Sequence, residues 1–206
     1  MVVFTLCDLC VLSEGDGEKV MEVTRSNPTH RLENFSMATK RREQMNISEE
    51  TLKKIYTMSF AGLIAYIMEV GEKIGREEAI RLHARLHAGM AEMIKENLSQ
   101  LGITGNDARA GMALIDAVME EHYPGFFKLM ERERTEDTPQ RVVGRHKGWC
   151  AALEACQMLG ISPKDFCPIT HEEGFTPLVQ VLNPKLHVRL GKIRPEAEYC
   201  ELIVEL

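Results

Sequence analysis

The sequence predicts an α+β fold in which a helical N-terminal layer packs on a small antiparallel sheet with C-terminal helices. The first observation is that apolar residues in 47–122 recur at steps of three and four, as on one face of a helix. The second is that 186–190 and 199–206 alternate apolar and polar residues, as half-buried strands do. With 206 residues, the chain is long enough to bury a core of ordinary size.

Three regions follow from these changes of pattern. Residues 1–46 form an N-terminal segment, interpreted as a hairpin and linker because turn residues separate two apolar stretches. Residues 47–124 are the helical region, and residues 125–206 are an α+β region that carries four of the six cysteines. The N-terminal segment holds the other two, Cys7 and Cys10, for which packing, metal binding and redox chemistry stay open.

Caps and breakers mark the helices of the second region. Ser48 is a good N-cap, and the acidic residues after it suit the helix dipole. A second helix is expected over about 76–101, ended by Gly102 in a left-handed conformation, and a third over about 106–121. The apolar spacing places five residues of this region in the core: Ile55, Leu63, Ile67, Leu86 and Leu114.

The last region is predicted to contain a hairpin, two helices around a cysteine loop, and two strands. In chain order these are 126–134 paired with 140–147, a helix over 149–160, a Pro-bounded loop around Cys167, a helix over 172–182, and strands near 186–193 and 198–206. We expect the last two strands to pair antiparallel because their connection is short. Cys200 should then point into the core.

Charge and hydropathy exclude several classes of function. The net charge of −6 argues against a nucleic-acid-binding protein. No apolar stretch approaches the roughly 20 residues that cross a membrane, and Met1–Leu12 lacks the basic start of a signal peptide. We therefore expect a cytoplasmic protein with reduced thiols and a small-molecule ligand. A homo-oligomer is compatible with these features.

Two histidines lie four residues apart in the second predicted helix. His83 and His87 share a helical face, and such a pair can chelate a divalent metal or line a ligand pocket. The metalloprotease motif needs Glu after the first His, and Ala84 occupies that position. We expect both histidines to face an interior cleft, although a surface position is the simpler alternative.

Three cysteines and one histidine of the last region form the main candidate site. Cys150 begins a helix after a strand, where a helix N-terminus lowers the pKa of a thiol. Cys167 lies four residues before His171, and a thiol beside an imidazole can act in nucleophilic catalysis. Cys150, Cys167 and Cys200 could instead bind a structural metal, for which zinc is the candidate. Simple packing of buried thiols is the third alternative.

Two charged residues are candidates for substrate binding. Glu154 follows Cys150 by one helical turn, so its carboxylate could orient an amine or act as a base. Arg189 lies on the polar face of the strand that begins near 186 and could bind a carboxylate. Each could equally face water.

The stretch 149–206 resembles the L-2-amino-thiazoline-4-carboxylic acid hydrolase family. The resemblance is carried by Cys150 with Glu154 four residues later, by Phe166-Cys167, by Asn183-Pro184 before a strand, and by a late Cys200 followed by alternating apolar residues. A preceding helical region also suits that family. A looser likeness links the chain to 4-vinyl-reductase-like small-molecule-binding domains, some of which use such cysteines for zinc.

The resemblance implies hydrolysis of a small cyclic amidine or a related substrate with a C–N bond. Cys167 and His171 would then be nucleophile or acid–base residues, while Cys150 and Glu154 would line the pocket. The alternative is a non-enzymatic ligand-binding or sensor domain in which the cysteines hold a structural metal.

Overall fold

The computed structural model describes residues 47–206, and both the predicted N-terminal hairpin and the Cys7–Cys10 pair lie outside that part. The described residues confirm the α+β class. Their α-helices are α1 (Glu49–Ile74), α2 (Arg76–Gly89), α3 (Ala91–Asn97), α4 (Ala108–His122), α5 (Ala151–Leu159) and α6 (Pro163–Gln180).

The strands form one antiparallel sheet. They are β1 (Glu131–Asp137), β2 (Arg141–Lys147), β3 (His187–Leu190) and β4 (Cys200–Glu205), arranged in the order β1-β2-β4-β3. The predicted antiparallel pairing of the last two strands is confirmed, with Val188 opposite Val204 and Leu190 opposite Leu202. The C-terminal strand therefore lies in the middle of the sheet, between β2 and β3.

The predicted hairpin exists with a different start. Residues Phe126–Leu129 form a 3-10 helix, so β1 begins only at Glu131 and pairs with β2 as far as Asp137. The aromatic side chain of Phe126 explains the difference. It is buried among Tyr56, Phe60 and Trp149, with ring centroids 5.6 to 6.0 Å apart, and this cluster fixes the segment against α1.

One hydrophobic core lies between the sheet and the helices α4 and α6. Leu114 and Ile115 from α4 and Leu178 from α6 pack against Val142 and Val204 of the sheet, and all five are at most 2% exposed. Helix α4 approaches β4 closely because Gly111 has no side chain.

A second core lies among α1, α2, α5 and the first half of α6. Its buried side chains include Ile64, Ile67, Ile80, Cys156 and Phe166. The helical region and the α+β region therefore share cores, and Glu49–Leu206 forms one compact unit. Within the described residues, no helix is long and apolar enough to cross a membrane.

Two of the five core residues predicted for the helical region are wrong. Ile67 and Leu114 are buried and Leu63 is half-buried, but Ile55 is 39% exposed and Leu86 is 66% exposed. In α2 the reason is that small side chains, among them Ala84, form the face that packs inward. Leu82 and Leu86 of that helix are left outside, whereas Ile80 is buried.

The predicted cysteine loop is also wrong, because Cys167 lies inside α6. This helix begins after the N-cap Ser162 and continues through Pro168 and Pro177. A proline inside a helix removes one backbone hydrogen bond, which is why the sequence indicated a break. Packing outweighs that cost, since the residues at every fourth position along one side of α6 are buried: Phe166, Thr170, Gly174 and Leu178.

Candidate functional site

Chemically reactive side chains gather where β2 ends, β4 begins and the middle of α6 passes. His146 of β2 lies directly opposite Cys200 of β4. Opposite residues of an antiparallel pair share a face of the sheet. Val142 and Val204 lie on the same face and belong to the core under α4 and α6, so His146 and Cys200 are on the helix-covered side.

Three more cysteines come from the two C-terminal helices. Cys150 is the N-cap residue of α5, Cys156 lies one and a half turns further, and Cys167 lies on α6. The charge of a thiolate at Cys150, Cys156 or Cys200 would raise the pKa of Cys167, so the four thiols lie within electrostatic range of one another. We call these cysteines, together with His146 and His171, the cysteine–histidine cluster.

Three of the cluster's thiols, those of Cys150, Cys156 and Cys167, are held in the protonated state. Burial raises the pKa of Cys156 to about 11, raises that of Cys167 well above its ordinary value, and raises that of Cys150. The expected lowering at the start of α5 is therefore wrong for Cys150. The amides of Leu153 and Ala152 do oppose the shift, but the thiol forms no capping hydrogen bond and burial has the larger effect.

His171 has a defined tautomer. Its Nδ1 lies 2.8 Å from the carbonyl oxygen of Cys167, one turn earlier on α6. A carbonyl oxygen only accepts, so Nδ1 carries the proton and donates. Burial lowers the pKa of the ring, more than Glu172 and this hydrogen bond raise it. The ring is therefore neutral near pH 7, and Nε2 is an unprotonated acceptor.

His146 is the most strongly perturbed histidine of the cluster. Burial, followed by the positive charges of Arg132, of His171 when it is protonated, and of Arg194, lowers its pKa to about 3. Its Nε2 atom is buried and has no hydrogen-bond partner among the described residues. A buried polar atom of this kind usually has a partner, so a ligand atom is the natural complement.

Arg194 brings a buried positive charge to the cluster. The residue is 9% exposed, its guanidinium donates to the carbonyl of Gly148, and its backbone N–H donates to Cys200 Sγ at 3.4 Å. No hydrogen-bond partner of its Nε is found within residues 47–206. None of the ion pairs in the described part of the chain includes Arg194.

The residues that the sequence named for the site lie near one another in this cluster, and their catalytic or metal-binding roles stay predictions. Cys150, Cys167, Cys200 and His171 do gather in one cluster. Within residues 47–206, however, no three His, Cys, Asp or Glu side chains are placed as ligands of one ion. The zinc set of Cys150, Cys167 and Cys200 therefore has no support in this geometry.

Other predicted site residues lie elsewhere or have no resolved role. Arg189 lies on the opposite face of the sheet from Val188 and forms an ion pair with Glu205 at 2.6 Å. Glu154 is half-buried on α5. His83 is half-buried on α2, where burial alone lowers its pKa, and the side chain of His87 lies outside the described atoms.

Sequence reasoning missed His146 and Arg194. The sequence could have pointed to His146, because it lies two residues after Gly144 and four after Val142. Residues at this spacing share one face of a predicted strand. Its partner Cys200 required knowledge of the strand order. Arg194 gave no signal, since it lies in a polar connection between two strands and nothing in its neighbours indicates burial.

No family model, curated protein or solved structure matches the chain. The resemblance to the hydrolase family, noted from residues of 149–206, thus stays a prediction. The fold and the site define an α+β protein with a buried cysteine–histidine cluster beside Arg194, which forms no ion pair with the part of the chain that the structure describes.

Proposed function

We propose that the protein binds a small carboxylate-bearing molecule at the cysteine–histidine cluster and hydrolyses a C–N bond of a cyclic amidine in it. The observation that carries the proposal is the buried guanidinium of Arg194, which no described carboxylate neutralises. The reaction class comes from the resemblance to the amino-thiazoline-carboxylate hydrolases.

The cost of burying a charge argues for an anionic ligand. An unpaired buried ion carries a desolvation penalty of several kcal/mol. A carboxylate that enters the cluster would offset this penalty and could accept from two N–H groups of one guanidinium. The buried Nε of Arg194 donates to no atom of the described residues and would be one of these groups.

The state of His171 suits a general base. Its neutral Nε2 can accept a proton from a water molecule while Nδ1 stays bonded to the Cys167 carbonyl. In this scheme the water oxygen bonds to the amidine carbon, the C–N bond within the ring breaks, and the proton passes from His171 to the ring nitrogen, which stays attached to the opened product. The protonated thiols of Cys150 and Cys167 would donate weak hydrogen bonds instead of acting as nucleophiles.

The second candidate function is binding without catalysis. The raised pKa values of Cys150, Cys156 and Cys167 support it against catalysis by a thiol nucleophile, because a thiol is nucleophilic only as the thiolate. A sensor domain would use the same anion contact to Arg194.

The test is to incubate the full chain with 2-amino-thiazoline-4-carboxylate and to follow substrate loss and a product heavier by one water by mass spectrometry. Saturation-transfer NMR measures binding in parallel. We expect His171→Gln to bind without turnover and Arg194→Gln to lose both.

Matched controls are His187→Gln on the exposed side of β3 and Arg76→Gln on α2, where the arginine side chain is 70% exposed. Both should behave as the wild type. Binding without turnover in the wild type would favour the second candidate, and no binding at all would overturn the proposal.

A further inference from the structure

A cleft opens on the helix-covered face of the sheet between α4 and the strands β1 and β2. It has a volume of about 260 Å³, and its lining includes Met112, Asp116, Arg132, Gly144 and His146. Since a water molecule occupies about 30 Å³ of liquid, the cleft has room for a ligand body of roughly nine heavy atoms.

The cleft exists in part because residue 144 is glycine. A Cβ atom added there would lie 3.6 Å from His146 Nε2 and 3.7 Å from Met112 Cε, which are ordinary contact distances. The backbone at Gly144 does not have the positive φ that would require glycine. A side chain could therefore be accommodated without strain, and its absence leaves space.

The Nε2 atom of His146, which has no hydrogen-bond partner among the described residues, lies beside the space left by Gly144. His146 lines the cleft, and its buried Nε2 lies 3.6 Å from the point where a Cβ of residue 144 would be. The same histidine is opposite Cys200, the thiol that accepts from the backbone of Arg194. His146 thus connects the cleft to the cysteine–histidine cluster.

The outer wall of the cleft is formed by side chains that contact one another. Arg132 donates to Asp116 at 2.5 Å, and its guanidinium carbon lies 3.9 Å from the ring centroid of Phe127. Arg134 also pairs with Asp116, at 3.3 Å. These contacts hold the wall in place and leave His146 as the inner polar group without a partner.

We propose that this cleft holds the uncharged body of the ligand whose carboxylate binds Arg194, with one polar ligand atom bonded to His146 Nε2. Gly144 is then the residue that limits ligand size. The inference rests on the proposed anion contact at Arg194, but it assigns a second and separate part of the ligand. The substrate class is a small monoanion with a compact, hydrogen-bonding body.

The experiment compares two probes, acetate and imidazole-4-carboxylate, by saturation-transfer NMR titration of the full chain. Acetate has only the group that Arg194 would bind, while imidazole-4-carboxylate adds a ring with polar atoms. The variants are Gly144→Ala and Gly144→Val. The matched control is Gly62→Ala on α1, where an added Cβ meets no atom within 4 Å.

We expect both variants to weaken the binding of imidazole-4-carboxylate, by about tenfold or more for Gly144→Val. The affinity for acetate should not change. Circular dichroism spectra like that of the wild type would show that the variants are folded. Gly62→Ala should bind both probes normally. If Gly144→Ala and Gly144→Val bind the ring probe as the wild type does, the cleft inference is overturned.

Failure of the wild type to bind imidazole-4-carboxylate would also overturn the cleft inference. Acetate separates the two proposals in that case. Binding of acetate that Arg194→Gln abolishes would leave the anion site intact, whereas no acetate binding would remove both.

Discussion

The imidazole of His171 and the backbone of Cys167 are joined by a hydrogen bond of 2.8 Å within one turn of α6. The histidine is therefore oriented by a carbonyl oxygen and not by the Cys167 thiol. This contact leaves Nε2 as the only ring nitrogen that can take a proton.

The first prediction is that His171 is a neutral Nδ1–H tautomer at pH 7. The carbonyl fixes the proton on Nδ1, and burial lowers the pKa of the ring. Long-range proton–nitrogen NMR should show an unprotonated Nε2 resonance for this residue, assigned through its loss in His171→Gln. A protonated Nε2 would mean that the ring cannot serve as the proposed base.

The second prediction concerns the reactivity of the thiols. With a pKa of about 11, Cys156 has roughly 300-fold less thiolate at neutral pH than a free cysteine with a pKa near 8.5. Iodoacetamide labelling at pH 7.5, read for each cysteine by mass spectrometry, should show at least that slowing for Cys156. Cys150 and Cys167 should also be slow.

The same labelling experiment has an internal reference. The protein unfolded in urea should label at all of these positions at the rate of a free thiol. Labelling of native Cys167 at the free rate would restore the nucleophile role that the sequence suggested for it.

The third prediction is that stability falls as the pH drops below about 6.5. The native state keeps His146 neutral down to a pKa of about 3, while the unfolded chain takes up a proton near the ordinary value of 6.5. The free energy of unfolding should therefore decrease by about 1.4 kcal/mol per pH unit for this group over that window. His171 and His83, whose pKa values are also lowered, add to the slope.

Urea unfolding between pH 7 and pH 5 measures this slope before carboxylates contribute. The pKa values of Asp137 and Glu205 are lowered by arginine partners, so their contributions are lost only at more acidic pH. His146→Gln should flatten the slope, and His187→Gln should not. Equal slopes in His146→Gln and the wild type would refute the burial of a neutral His146.

The helical layer and the sheet were largely predictable from the sequence, because caps, glycines and period-two patterns act locally. Gly102, for example, has the left-handed φ of 67° that its position indicated. The helix predicted over 76–101 is wrong in its extent, because it is divided into α2 and α3 and ends at Asn97. Cys167 shows where local rules fail. Pro168 indicates a break, yet the buried side of α6 includes Thr170 and Gly174, which no hydrophobic pattern reveals.

The candidate site was predictable only in part, because local patterns do not reveal packing between distant elements. Cys150, Cys167 and His171 could be named because their residue types alone indicate reactive side chains. Their ionisation depends on burial, and burial depends on packing between distant elements. The role of Arg194 depends entirely on that packing, so the sequence left it unnoticed.

The fourth prediction tests how α4 packs on the sheet. A Cβ at Gly111 would lie 2.9 Å from Val204 Cγ1 and 3.4 Å from Leu186 Cδ1. Gly111→Ala should destabilise the protein by about 1 to 2 kcal/mol, because overpacking costs about 1 to 3 kcal/mol and the better helix propensity of Ala offsets part of it. Urea unfolding gives the value.

The control for that variant is Gly62→Ala, which adds the same methyl group to an open position of α1. It should stabilise the protein by up to about 1 kcal/mol. Stabilisation by both substitutions would show that α4 lies further from β4 than described.

The most direct test of the central claim is a crystal structure of the full chain soaked with 2-amino-thiazoline-4-carboxylate. The account predicts the carboxylate within about 3 Å of the Arg194 guanidinium, the normal distance of a charge-assisted hydrogen bond. It also predicts the ring in the Gly144 cleft beside His146 Nε2. A ligand bound elsewhere, or an Arg194 guanidinium neutralised by a carboxylate of the protein itself, would contradict it.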